Sequence, residues 1–517
     1  DSYNLFRGEH ASYNPILMNQ ILKEEWQWDG VVISDWGAVH DTHTAIIGGL
    51  DMEFGSWTDG LTEGTSNAYD NYWLANPYLK GIKEGIYTDK ELNEKVRRVL
   101  RLTFRTAMNN DRPWGSMVSD AHKTACRKIG EEGIVLLQNN ANLLPINLSK
   151  VKRIAVIGEN AIKMMTVGGG SSSLKVKYEV TPLEGLKKRI GKQAEIIYAR
   201  GYVGDPTGEY NGVKTGQNLK DDRSPKELRT EALQVASNAD IVLFIGGLNK
   251  SEYQDCEGTD RKTMDLPYNQ NELIMDLLQV NKKLVVINIS GTGVAMPWKN
   301  HVSTILQAWY LGSETGNALA SILMGDVNPS GKLPYTYYAC PDQCGAHKLG
   351  EYPGHKGMDV LGNEVYDIPY NEGLFVGYRF IDKNKLKPNF PFGHGLSYTT
   401  FEYGKAKVNS KAIEKSEKLY ITIPITNTGN RAGAEVVQLY IKCLNSSVIR
   451  PIKELKGFCK VELQPNETKE ISFTITAEEL SFFDEKQHKW IAESGKFEAL
   501  MASSSADIRS KVCFELK

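Results

Sequence analysis

A chain of 517 residues exceeds what one hydrophobic core holds and, at about 100–200 residues per domain, predicts three units. Its 61 basic and 63 acidic residues give a net charge of -2, and no basic stripe marks it for nucleic acid or an anionic membrane surface. The seven cysteines (Cys126, Cys256, Cys340, Cys344, Cys443, Cys459 and Cys513) are sparse, odd in number and without paired metal-ligand spacing, which argues against a disulfide framework and a zinc site. No apolar run is long enough to span a bilayer, and nothing at the N-terminus reads as a signal peptide.

Up to about residue 115, apolar strand-like runs alternate with helices. The stretch "GVVISDWGAVHDT" (Gly30–Thr42) predicts a short buried parallel strand over Val31–Ile33, with Asp35 at its C-terminal end. A capping box at Thr88–Glu91 opens a helix that places Leu92, Val96, Val99 and Leu100 on one face, expected to be core. Residues 116–345 carry the runs "RIAVIG", "EIIYA", "DIVLFIGG", "KLVVINIS" and "TILQAW" with helical segments between most of them, which predicts an α/β layered domain with a mainly parallel sheet. A Gly-, Pro- and Tyr-rich linker over 346–400 follows. From 401 to 517 the pattern becomes period-2: Leu419, Ile421, Ile423 and Ile425 face one way, Tyr420, Thr422, Pro424 and Thr426 the other. With turns at Asn427–Asn430 and Gln464–Asn466, this predicts an antiparallel β-sandwich.

Position alone says little about chemistry. In an α/β barrel, reactive residues sit at the C-terminal ends of strands, which suits Asp35, yet an acid there serves more commonly as a helix N-cap. His40 and His43 flank Asp41 without a third ligand, and His394 belongs to the linker motif "FGHG", so metal-free chemistry is expected. The glycines of "VGGGSSSLK" (Val167–Lys175) follow a strand but lack the Gly-Lys-Ser/Thr of a phosphate cradle.

Seven stretches occur in order: "YN" (Tyr3-Asn4), "LKEEWQWDGVVISDWGAVHD", "GGLDMEF", "EEGIVLLQNNANLLPI", "EGTDRKTMDLPYNQNELI", "NEGLFVGYRF" and "FPFGHGLSYTTFEY". Together they resemble the family 3 glycoside hydrolases, particularly the β-glucosidase and β-xylosidase branch. The resemblance covers nearly the whole chain. It implies a C-terminal remainder of a (β/α)8 barrel, then an α/β sandwich domain, then a fibronectin type III-like β-sandwich. It also implies a retaining exo-acting β-glycosidase, with cello-oligosaccharides favoured over xylo-oligosaccharides as substrate and no cofactor. A non-catalytic carbohydrate-binding protein is the alternative.

On the same resemblance, the aspartate of "SDW" is the nucleophile, here Asp35. A retaining enzyme needs a second carboxyl about 5–5.5 Å away to protonate the leaving oxygen. The family's "EG-x-DR" pattern falls on Glu257–Arg261 and assigns Glu257 as acid/base, with Glu252 and Asp255 as local competitors that geometry must separate. Glu257 is expected to be held protonated by the Asp35 charge or by burial once sugar binds. Asp260 and Arg261 are expected to clamp the loop or pair with each other. Trp36 would offer an aromatic wall, Tyr3 would bind near the nucleophile, and Ser171 would sit at the sugar-binding rim.

The resemblance places "DSYN" at a late barrel strand, whereas a barrel takes about 250 residues. A second chain or an N-terminal segment of about 200–250 residues is therefore expected to complete the barrel and to carry most residues that grip the sugar. A homo-oligomer remains open. A polysaccharide-derived substrate favours a periplasmic or secreted location, while the unpaired cysteines permit the cytoplasm.

Overall fold

Where the backbone's hydrogen-bonding groups go decides how the first apolar run folds. In the computed structural model, which describes residues 1–55, 72–205, 209–210, 213–358 and 364–517, the chain divides into two compact units, Asp1–Ser116 and Met117–Lys517. In the first unit, Ile33 forms a parallel bridge with Met52, Met52 N donates to Val32 O at 3.0 Å and Ser34 N to Met52 O at 2.9 Å. The expected strand is thus parallel but only one bridge long. Its flanking amides bond carboxylates instead: Val32 N donates to Asp51 Oδ2 at 2.8 Å and Asp35 N to Asp1 Oδ1 at 2.8 Å. A π-helix (Ile16–Glu25) precedes it, and helices α1 (Thr42–Ile47), α2 (Asn76–Lys83) and α3 (Asp89–Arg105) follow.

Helix α3 starts at the expected capping box, but its apolar stripe is not core. Val96 is 44% and Leu100 47% exposed, while Lys95 and Arg98 are buried. The reason is the orphan carbonyls at the end of a helix. Lys95 Nζ donates to the carbonyls of Ala45, Ile46 and Leu50 around the end of α1, and Arg98 Nη1 donates to Gly30 O at 2.9 Å. The basic side of α3 therefore packs inward, and its stripe lines an open groove of about 350 Å³ beside Met52 and Tyr78.

The second unit is built on a six-stranded sheet. Its strands are β1 (Val135–Asn139), β2 (Arg153–Ile157), β3 (Glu195–Ala199), β4 (Ile241–Gly247), β5 (Leu284–Ile289) and β6 (Thr304–Gln307), in the order β1-β6-β5-β4-β2-β3. All pairs are parallel except β1–β6. The continuous apolar runs are explained by burial on both faces. One face packs Ala232 and Ala236 of α6 (Pro225–Ser237) and Leu273 and Leu277 of α7 (Gln270–Val280). The other packs Leu183 and Leu186 of α5 (Pro182–Ile190) and Leu319 and Leu323 of α8 (Thr315–Met324). The strand β1 within "GIVLLQNN" was not anticipated, because an apolar run directly after helix α4 (Asp120–Gly133) reads equally as that helix continuing.

Residues 364–398 return to this domain: Phe390 bridges Tyr337 and Leu396 bridges β1 at Leu136. The C-terminal β-sandwich follows. The strand Leu419–Asn427 alternates as expected, with Leu419, Ile421, Ile423 and Ile425 all 0% exposed. It lies in a four-stranded sheet that packs against a five-stranded one containing Gly433–Cys443, Glu454–Leu463, Gly495–Ser504 and Asp507–Leu516. Among the described residues no helix is long and apolar enough to cross a membrane.

Candidate active site

Asp35 stands two residues after Ile33 of the bridge to Met52, and its Oδ1 accepts the N–H of Trp36 at 2.8 Å. Trp36 is 69% exposed, with its ring 6.0 Å from the Phe54 ring and beside Gly55. A Cβ at Gly55 would fall 2.3 Å from Trp36 Cδ1, and Gly55 has φ +66, so only glycine leaves the indole where it is. Tyr3 is 54% exposed, and its carbonyl is 3.4 Å from His10 Nδ1. His40 stacks on His10 at 4.2 Å and His43 on Tyr87 at 5.9 Å, so both histidines pack against aromatic rings.

In the second unit, the segment after β4 and the glycine-rich loop meet at the carboxyl end of the parallel strands, where open α/β sheets bind ligands. They line a cavity of about 750 Å³ that contains Glu257, Asp255, Ser171, Arg261, His347 and Tyr352. Glu257 is held by backbone on two sides: its N–H donates to Gly169 O at 2.7 Å, and the Ser171 N–H donates to its Oε2. Gly170, at φ +129, makes this approach possible, since a Cβ there would lie 2.4 Å from both Glu257 Cβ and Oε2. Ser171 thus meets Glu257 through its main chain.

The three acidic residues of the segment separate by environment. Glu257 is exposed to the cavity. Asp255 lines it too, but its carboxylate accepts from Gly291 N at 2.7 Å, Thr292 Oγ1 at 2.8 Å and Tyr310 Oη at 2.9 Å. Glu252 is exposed and does not line the cavity. Asp260 and Arg261 do not pair with each other among the described residues; each fastens the segment elsewhere. Asp260 accepts from Tyr352 Oη, which with burial pushes that phenol up to about 12, and Arg261 Nη2 donates to Gly293 O at 2.6 Å.

The wall formed by Pro341, His347 and Tyr352 was missed in the sequence, where most of it fell in the expected linker. His347 and Tyr352 rings lie 5.0 Å apart, and the neighbouring Glu351 accepts the N–H of Asn371 at 3.0 Å. "CPDQCGAHKLGEYPG" has no periodicity, and only its Gly and Pro content marks it, as a loop.

Residues 134–398 match the Glycosyl hydrolase family 3 C-terminal domain, and 435–505 match the Fibronectin type III-like domain. The chain is 47% identical over 522 residues to Beta-glucosidase BoGH3A of Bacteroides ovatus, spanning 99% of this chain and 68% of that one. The chain belongs to glycoside hydrolase family 3. Thermostable beta-glucosidase B of Acetivibrio thermocellus is 36% identical, with 98% of this chain spanning 61% of that protein. The solved GH3 beta-glucosidase of Bifidobacterium adolescentis superposes with a TM-score of 0.84 at 31% identity, covering 100% of this chain and 69% of that one. This family 3 chain therefore carries a glycosidase fold, and the cavity around Glu257 lies within the matched domain.

Proposed function

We propose that this chain acts as a retaining, exo-acting β-glucosidase that releases glucose from the non-reducing end of cello-oligosaccharides. The observation that carries the reading is the arrangement around Glu257: a carboxyl facing a polar cavity, oriented through one oxygen by a backbone N–H, beside two other acids that are engaged or turned away. The relatives from Bacteroides ovatus and Acetivibrio thermocellus, both named β-glucosidases, support the choice of sugar.

In this mechanism Asp35 attacks the anomeric carbon while Glu257 donates a proton to the leaving oxygen. Glu257 then takes a proton from water, which displaces Asp35 from the same carbon, so configuration is retained. The Ser171 N–H donates to Oε2 and orients the carboxyl toward the cavity. Trp36, with its face open, supplies a flat apolar surface for a sugar ring, and Tyr3 lies in the same unit.

The test is the anomer of glucose formed first from an aryl β-glucoside by the protein as its source makes it, followed by NMR. β-Glucose appearing before mutarotation supports the reading; α-glucose first, or no hydrolysis of glucosides or xylosides, overturns it. Within the same reading, Gly170→Ala is expected to lower kcat/KM on cellobiose about 10²-fold, because the methyl displaces Glu257 by a fraction of its own radius or more. Unchanged kcat/KM would show that Glu257 does not need this seat.

A further inference from the structure

Asp255 stands two residues before Glu257, and its three hydrogen bonds reach two different strand ends. Gly291 and Thr292 follow β5, and Tyr310 follows β6, the neighbouring strand of the sheet. Both carboxylate oxygens are used: Oδ2 accepts from Gly291 N and Tyr310 Oη, Oδ1 from Thr292 Oγ1. The main chain of Asp255 also closes the segment on its own start, its N–H donating to Asn249 O at 3.1 Å. Hydrogen bonds to a carboxylate are about twice as strong as neutral ones, so this side chain ties the segment firmly to the rigid sheet. With Gly169 O holding the next-but-one amide, the tie leaves Glu257 little freedom along the chain.

We propose that Asp255 is a positioning residue that fixes Glu257 for proton donation to the leaving group. The inference rests on the reading of Glu257 as acid/base. Asp255 itself touches no substrate atom in this scheme; its carboxylate is spent on the sheet. Loss of its charge would let the segment drift, and proton transfer, which needs hydrogen-bond reach, would suffer before sugar binding does.

Two substrates with one sugar separate these effects. 2,4-Dinitrophenyl β-glucoside leaves without a proton, whereas cellobiose needs one. In the protein as its source makes it, Glu257→Gln is expected to lower kcat/KM on cellobiose about 10²–10⁴-fold and on the dinitrophenyl glucoside only a few-fold. Asp255→Asn is expected to show the same split in weaker form, about 10–10²-fold against less than about 3-fold. Tyr310→Phe, which removes one donor and keeps the ring, is expected to split in the same direction by less, and it serves should Asp255→Asn fail to fold. If Glu257→Gln shows no split, the acid/base reading itself fails. If Glu257→Gln splits but Asp255→Asn and Tyr310→Phe lower both substrates equally, or neither, the positioning role is overturned.

Discussion

Asp35→Asn is expected to lower hydrolysis of aryl β-glucosides at least about 10³-fold while leaving the fold intact. The substitution keeps the shape and the local bonding. Asparagine Oδ1 can still accept the Trp36 N–H, and the bond from residue 35 to Asp1 is made through its main-chain N–H, which the change does not touch. What is lost is the anionic oxygen that, in the proposed mechanism, forms the bond to the anomeric carbon. A carboxamide is a poor nucleophile and cannot stabilise the positive charge that develops on the sugar. Thermal unfolding should move by no more than a surface substitution does, about 0.5 kcal/mol. Added azide should restore turnover by attacking from the vacated face, which yields α-glucosyl azide. Activity above about a tenth of the parent would remove Asp35 from the mechanism.

The second large effect is on stability. Glu159 follows β2 and is 0% exposed, yet it is a carboxylate. Its Oε2 accepts from Arg200 Nη2 at 2.7 Å and Gly204 N at 2.6 Å, and its Oε1 lies 3.8 Å from Lys163 Nζ. Arg200 and Lys163 are themselves buried, and burial pulls the lysine below its usual value while Glu159 and Asp205 pull it back. Replacing the carboxylate with alanine leaves two buried cations without their central counter-charge, with Asp205 at 3.5 Å from Lys163 and Asp221 at 3.7 Å from Arg200 remaining, which costs about 3 kcal/mol. Glu159→Ala is therefore expected to lower the melting temperature by on the order of 10 °C, and Glu159→Gln by less, since it retains an acceptor. The exposed pair Arg153–Glu195 is the control: breaking it should cost no more than about 1 kcal/mol. A Glu159→Ala protein within about 1 kcal/mol of the parent would mean that water or repacking satisfies the cations.

Elements whose burial follows from their own pattern were legible in the sequence. Five of the six strands of the α/β sheet were visible as unbroken apolar runs, and the sandwich strand Leu419–Asn427 as strict alternation. Where tertiary partners outrank local pattern, the reading failed. Lys95 and Arg98 turn α3 inward because they meet carbonyls distant in sequence, a pairing that periodicity does not encode. The candidate residues divide the same way. Motifs proposed Asp35, Trp36, Ser171 and Glu257, whereas the environments of Glu252, Asp255 and Glu257 differed visibly only once Gly291, Thr292 and Tyr310 were seen to occupy Asp255. Tyr352 and His347 come from an aperiodic loop, and nothing in their spacing points to the cavity.

The central claim, that Asp35 forms a covalent bond to the sugar, is tested most directly by trapping it. 2-Deoxy-2-fluoro-β-glucosyl fluoride slows both steps through its C2 fluorine but accelerates the first through its leaving group, so the intermediate accumulates as the Asp35 oxygen bonds C1 and fluoride departs. Peptide mass spectrometry of the inactivated protein is expected to find one 2-deoxy-2-fluoroglucosyl group per chain, on the peptide containing Asp35. Label on another carboxylate, or none despite turnover of ordinary glucosides, would contradict the account.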